Sequence, residues 1–260
     1  MSAPLFARLA IAGAAAATLG TVSVVPAGAT TATPTPNPTR QQTQAANLAT
    51  VKAKCDAQVQ KRLTTLGDEG TTINAATDLS SGDKAQLLST DTGDTSGLTT
   101  LDATIQADTT MVDALKDCRN IVVDYRVYLL FGPQVHMTIA ADRLGSINAK
   151  LQALAAQLAQ LLAQSKAPAA DLTAAQAALT DLNAKVAAAE AADAGQSAAV
   201  LALTPQGYPG NVSALHAVRQ ALDTSRGDLK GARADVEIIR NALRQDHGTS
   251  SSSPGPSPSV

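Results

Sequence analysis

Three long stretches of this chain place apolar residues at alternating steps of three and four, and no other feature limits the fold as tightly. From Ala214 to Asp246 the series is Leu215, Val218, Leu222, Ser225, Leu229, Ala232, Val236, Ile239 and Leu243, with one polar interruption at Ser225. From Gln134 to Gln164 it runs Met137, Ala140, Leu144, Ile147, Leu151, Leu154, Leu158, Leu161. From Ala169 it runs Leu172, Ala175, Leu179, Leu182, Val186, Ala189, breaks at Asp193-Ala194-Gly195-Gln196 and resumes at Val200 and Leu203. That period draws a stripe along one side of an α-helix, and the stripe has to be covered by other helices. Lys166-Ala167-Pro168 separates two of the runs. Thr204 to Asn211, with two prolines and two glycines, separates the last, and Asn211 or Ser213 is expected to cap it. Connections this short make consecutive helices antiparallel neighbours.

The first half is less regular. Leu48, Val51, Cys55, Val59, Leu63, Leu66 and Ile73 give a helical face from Ala45 to about Ala76, blurred by Gly67 and Gly70. Leu79 to Asp83 reads as a turn with a capping serine. A helix follows, weakened across Thr92–Gly97 and restored by Leu98, Leu101 and Ile105. Asp108-Thr109-Thr110 reads as a further cap, opening a helix from Met111 to Phe131 that Gly132-Pro133 ends. The expected fold is all-α, an elongated antiparallel, coiled-coil-like bundle of four to six long helices with disordered termini. Abundant alanine favours helix and lets axes approach closely.

The two cysteines, Cys55 and Cys118, fit one disulfide in an exported chain. The other reading is a pair of buried thiols on two packed helices. A bridge between them suits a hairpin whose connection spans roughly 79 to 97. A sharp turn at 80 fits only if the chain turns again near Thr109.

The ends read differently from the middle. Residues 1–29 combine Arg8, an apolar Ala/Gly/Val run and Ala27-Gly28-Ala29, the pattern of a secretory signal peptide cleaved after Ala29. An uncleaved membrane anchor is the competing reading. Residues 30–40 are a Pro/Thr-rich linker, 41–247 the helical bundle domain, and 248–260 a disordered Ser/Pro-rich tail. Neither end adds a second apolar segment, so the mature chain is expected to have no transmembrane span. It is placed outside the cytoplasm, secreted or associated with the cell wall. Arg8 is the one charged residue of the leader, which leaves 19 of the 20 basic residues beside all 22 acidic ones. That balance excludes a nucleic-acid binder. Tryptophan is absent, and Tyr125, Tyr128, Phe131 and Tyr208 are the aromatics after the leader. A chain so poor in aromatic platforms is a weak fit to carbohydrate or peptide pockets.

Chemistry-bearing patterns are few. The block 121–141 holds three of those aromatics and the densest β-branched run, and a hairpin about Gly132-Pro133 could form there. Its Tyr125, Tyr128, Phe131, His136 and Met137 form either a binding patch for lipid, wall polymer or a partner helix, or the thickest part of the core. His136, His216 and His247 lack partners at the spacing of a zinc site. Asp91-Thr92-Gly93 matches an aspartic-protease tripeptide without a second copy or a β-rich setting, and with Asp94 it lacks the alternating ligands of a calcium loop. Arg219, Arg226, Arg233 and Arg240 recur every seven residues among interleaved acids, as interhelical ion-pairing positions do, or as a stripe for a polyanion would. No catalytic, cofactor-binding or metal-binding residue is assigned.

Asp117-Cys118-Arg119, Asp124-Tyr125-Arg126-Val127-Tyr128, Pro133 with Ile139-Ala140-Ala141-Asp142, Leu203-Thr204-Pro205 through Tyr208 and Asn211, and Ser225 to Lys230 with Ala232-Arg233 form a set. Together they resemble a group of exported, Ala-rich helical proteins of high-GC Gram-positive and related bacteria, over roughly residues 45 to 246. The resemblance implies a helical bundle and brings no activity with it. The function expected is that of a non-enzymatic scaffold or spacer of the bacterial cell envelope, without cofactor. Its partner would be another protein or a second copy, through helices. The alternative is a binding module built on the 121–141 patch.

Overall fold

A computed structural model of the chain describes residues 38–249, the last five by backbone alone. Residues 1–37, where the signal peptide and most of the linker are expected, and residues 250–260 of the expected tail lie outside the described residues. The described residues from Gln42 onward form one compact unit, and Pro38–Gln41 are the first turn of α1. Seven α-helices follow in order: α1 (Pro38–Ala75), α2 (Ser81–Ala107), α3 (Met111–Val123), α4 (Gly132–Gln164), α5 (Ala169–Asp193), α6 (Gln196–Leu201) and α7 (Asn211–Thr249). A π-helical turn (Val127–Phe131) leads into α4 and a 3₁₀ turn (Pro205–Gly207) precedes α7. The fold is the expected all-α bundle.

Several boundaries move for physical reasons. α1 starts at Pro38, inside the stretch read as linker, because a first-turn proline lacks only an N–H that has no helical partner there. α7 continues to Thr249, two residues past the expected end of the bundle. Ser80 and Thr110 cap α2 and α3 as anticipated, accepting from the amides of Asp83 and Asp113. Asn211 does not cap α7. It is buried, and its side-chain amide donates to Thr204 O at 2.6 Å, while Ser213 Oγ donates to Gly210 O.

The expected connection across 79–97 is not there, since α2 runs unbroken through Thr92–Gly97. The threonine hydroxyls that might compete with the helix turn back onto it instead. Thr90, Thr92, Thr99, Thr100 and Thr104 each donate to the carbonyl four residues earlier. The chain turns sharply before Ser81 and again at Asp108–Thr110. Descending α2 and then climbing seven residues of α3 at about 1.5 Å each returns it to the level of Cys55. There Cys55 and Cys118 form the disulfide, with Cα atoms 5.6 Å apart.

The helix expected to run from Met111 to Phe131 stops at Val123. The break falls at Asp124–Arg126, with Arg126 in the left-handed region at φ 39°. Gly132-Pro133 opens α4 rather than closing α3, and no hairpin forms about it. The Gly132 amide donates to Val127 O, closing the π turn.

α4 serves two cores. Its first turns, with Phe131 and Val135, join Val59, Leu66 and Ile73 of α1, Leu87, Leu98 and Ile105 of α2, and Ile121 of α3. Its remaining length packs with α5 and α7 around Leu144, Leu151, Leu158, Leu182, Leu222 and Ile239. Gln152 meets Glu190 while Gly145 lies beside Asp193, so α5 runs antiparallel to α4. Leu144 shares a groove with Leu229 and Leu158 one with Leu243, so α7 runs parallel to α4. α5 and α7 are the most intimately paired helices. Their facing Ala175, Ala178, Ala189 and Ala232 are buried, as the close approach of small side chains requires.

Candidate docking groove

The five residues of the 121–141 patch do not form one surface. Phe131 is buried in the core of α1–α3, and Met137 in that of α4, α5 and α7. Tyr125 is half-buried, its ring seated on the α2 backbone at Gly97, where a Cβ would lie 2.5 Å from its Oη. Tyr128 is half exposed, with the Arg62 guanidinium 5.1 Å from its ring centroid. His136 is exposed, its Nε2 3.4 Å from Glu69 Oε1. Side chains one helical step apart point about 100° apart, so a run of consecutive apolar residues is shared between core and solvent. In and just before this block the exposed large apolar or aromatic residues are Val112, Leu115, Val122, Tyr128 and Leu129.

Carboxylates gather at two places beside α4. Glu69, Asp91 and Asp94 lie near one another, and burial raises all three, Asp94 to about 6 with Asp91 adding repulsion. Burial, then Asp124 and Asp94, raise the Tyr125 hydroxyl. At the other place Asp142 Oδ2 accepts from the Ser80 amide at 2.6 Å, and Ser197 Oγ bonds to Asp83. Asp193 is pushed up to about 6 by burial and by Asp142. Among the described residues no group of three or more His, Cys, Asp or Glu is arranged to hold a metal ion. Through these bonds Asp142 ties α4 to the start of α2, and Asp83 ties α2 to α6.

The α4 stripe read from the sequence divides in two. Met137, Leu144, Leu151 and Leu158 are buried, as are Ala141, Asn148, Ala155 and Leu162, one position after the others in the series. Ala140, Ile147, Leu154 and Leu161 are left as a shoulder, the first three half-buried and Leu161 53% exposed. The apolar face of α4 is therefore three positions per heptad wide, more than α5 and α7 cover. Beside this shoulder runs α7. Between them lie a cavity of about 470 Å³ at the Ala140–Ile147 end and one of about 300 Å³ at the Leu154–Leu161 end.

The α7 wall of this groove is basic. Arg226, Lys230, Arg233, Arg240 and Arg244 line it. The acids at the same spacing are Asp223 and Glu237, which pair with Arg226 at 3.0 Å and Arg240 at 2.9 Å. The near-neutral count for the whole helix conceals this segregation. Asp235 is buried on another side, paired at 2.8 Å with Lys185 of α5. The heptad arginines do not bridge helices as expected: Arg226 pairs with Asp223 and Arg240 with Glu237, both within α7. On α4, nothing acidic occurs from Arg143 to Gln164.

No protein-family model, curated protein or solved structure matches this chain.

Gln134, in the first turn of α4, is buried. Its side-chain amide donates to Val200 O at 2.9 Å and Leu203 O at 3.0 Å, holding the end of α6 against α4. Neither this glutamine nor the width of the α4 stripe was singled out in the sequence. The second had a visible signal, since apolar residues at 141, 155 and 162 flank the series that was counted.

Proposed function

We propose that this chain is a non-enzymatic interaction protein of the cell envelope, a helical scaffold that holds a partner along the groove between α4 and α7. The observation that carries the reading is the shoulder of Ala140, Ile147, Leu154 and Leu161, apolar at every seventh residue and only partly covered by the helices packed against it. An apolar face that recurs over six turns of helix and stays part-exposed is characteristic of an interaction surface. The placement outside the cytoplasm is supported by the Cys55–Cys118 bridge and by the composition of residues 1–29.

The test is site-specific photocrosslinking in the cells that make the protein. A photoreactive phenylalanine analogue at position 147 should join the exported chain to another polypeptide. The same analogue at exposed Ala188 of α5 serves as the control. Equal yields at 147 and 188 would overturn the reading.

A second reading keeps the 121–141 block. Within 121–141, Val122, Tyr128 and Leu129 are exposed, Tyr128 at 50% and Leu129 at 48%. Adducts that form at position 129 and not at 147 would favour it.

A further inference from the structure

Resting on that reading, we infer that the occupant of the α4–α7 groove is an acidic amphipathic helix of another protein, which completes a four-helix bundle with α4, α5 and α7. The shape of the groove is that of a missing helix. From Ala140 to Leu161 it extends about 32 Å at 1.5 Å per residue, the length of three heptads. Both walls repeat every seven residues, the apolar one at 140, 147, 154 and 161, the basic one at 226, 233 and 240. A helix with apolar residues at its a and d positions meets the first series, and its e and g positions meet the second.

Charge selects the partner. Lys230 and Arg233 make no ion pair among the described residues, and Arg143 adds to the same rim from α4. A helix bearing glutamate at e and g is attracted along the whole groove, and one bearing lysine is repelled. An anionic lipid carries its charge at one end, whereas these cations are spread along the groove from Arg226 to Arg244. A second copy placed by a two-fold axis brings no acidic stripe to these cations, since α4 carries no acid from Arg143 to Gln164 and the α7 wall is itself basic.

The experiment is a fluorescence-anisotropy titration of the full chain against a labelled four-heptad peptide, apolar at a and d with glutamate at e and g. The comparison peptides are the same sequence with lysine at e and g, and a scrambled acidic peptide. The acidic amphipathic peptide should bind at least about tenfold more tightly than either, and weaken in about 1 M salt. The double variant Arg233→Glu/Arg240→Glu should reverse the preference, and Leu154→Asp should abolish binding of both amphipathic peptides. Circular dichroism of each variant confirms that its helices are intact.

Equal affinity for the acidic and lysine peptides would overturn the inference. So would vesicles of phosphatidylglycerol that bind through Arg233 and Arg240 when the peptide does not. A dimer of the chain that Leu154→Asp dissociates would overturn it in favour of a second copy. If the peptides fail while the adduct at position 147 forms, the inference falls and the scaffold reading stands. If that adduct is missing, the scaffold reading itself falls.

Discussion

The guanidinium of Arg126 lies 4.1 Å from the ring centroid of Tyr208, and its Nε donates to Pro205 O at 3.0 Å. These two contacts hold a non-glycine residue at φ 39°, where an L side chain crowds its own backbone. They also pin the break between α3 and the π turn to the connection that leads into α7. Arg126→Ala should lower the free energy of unfolding by about 1–3 kcal/mol, through the lost stacking, hydrogen bond and side-chain packing. Arg126→Gly relieves the dihedral strain and loses the same contacts, so it should fall between Ala and wild type. Urea denaturation of the three proteins gives the ranking, and a wild-type midpoint for Arg126→Ala would show that the clamp is idle.

Two glycines inside helices should respond oppositely to alanine. A Cβ at Gly97 would meet the Tyr125 ring at 2.5–3.0 Å, whereas Gly67 has nothing within 4 Å. Gly97→Ala must displace Tyr125 from α2 and should cost about 1–3 kcal/mol. Gly67→Ala gains helix propensity without a clash and should stabilise by roughly 0.5–1 kcal/mol. Thermal melts of the single variants test both signs. A destabilised Gly67→Ala would contradict the open environment described for it.

The disulfide closes a separation of 63 residues that contains the whole of α2. On the chain-entropy estimate a loop of that length contributes about 4 kcal/mol. Reduction, or Cys55→Ala/Cys118→Ala, should therefore lower the melting temperature while leaving most helical ellipticity at low temperature. The loss should centre on α1, α2 and α3, where hydrogen exchange would speed up first. Uniform acceleration across α5 and α7 as well would mean that the two cores do not open separately.

Residues with strong periodicity made the second half legible. The α7 stripe from Val218 to Ile239 is buried throughout, and the breaks at 193–196 and 204–210 fall where Gly195, Pro205 and Pro209 interrupt the pattern. The signal failed where tertiary contacts decided the outcome. Gly97 looked like a helix breaker because Tyr125 is far away in sequence, and its seat on α2 exists only in the fold. The break at Arg126 carries no glycine or proline and depends on Pro205 and Tyr208, some eighty residues later. The groove was half visible. Ala140, Ile147, Leu154 and Leu161 belong to the seam that the sequence periodicity draws, but periodicity cannot say how many neighbours a helix has. The basic wall was hidden by the near-neutral count for the helix as a whole, because Asp235 turns toward Lys185 of α5.

Acid should stabilise this protein. Asp94 and Asp193 are both raised to about 6, each chiefly by burial and then by a neighbouring carboxylate, Asp91 and Asp142 respectively. Unfolded, each carboxyl returns to about 3.9. The folded state thus holds more protons at intermediate pH, and stability declines as pH rises. The contribution is complete below about pH 4 and is lost as pH passes through about 6. Glu69, Asp91 and Asp142 are shifted the same way, and burial leads in each. Both side chains are only partly buried, so screening limits each to about 1 kcal/mol or less. For a domain of this size that is roughly 2–4 °C apiece. The melting temperature should rise between about pH 7 and pH 5, before general acid denaturation sets in. Asp94→Asn and Asp193→Asn should each raise it at neutral pH and flatten the profile, because an amide cannot ionise. A melting temperature that falls from pH 7 to pH 5 in the wild type, with both variants following it in parallel, would show that these carboxyls are as well solvated in the fold as in the unfolded chain.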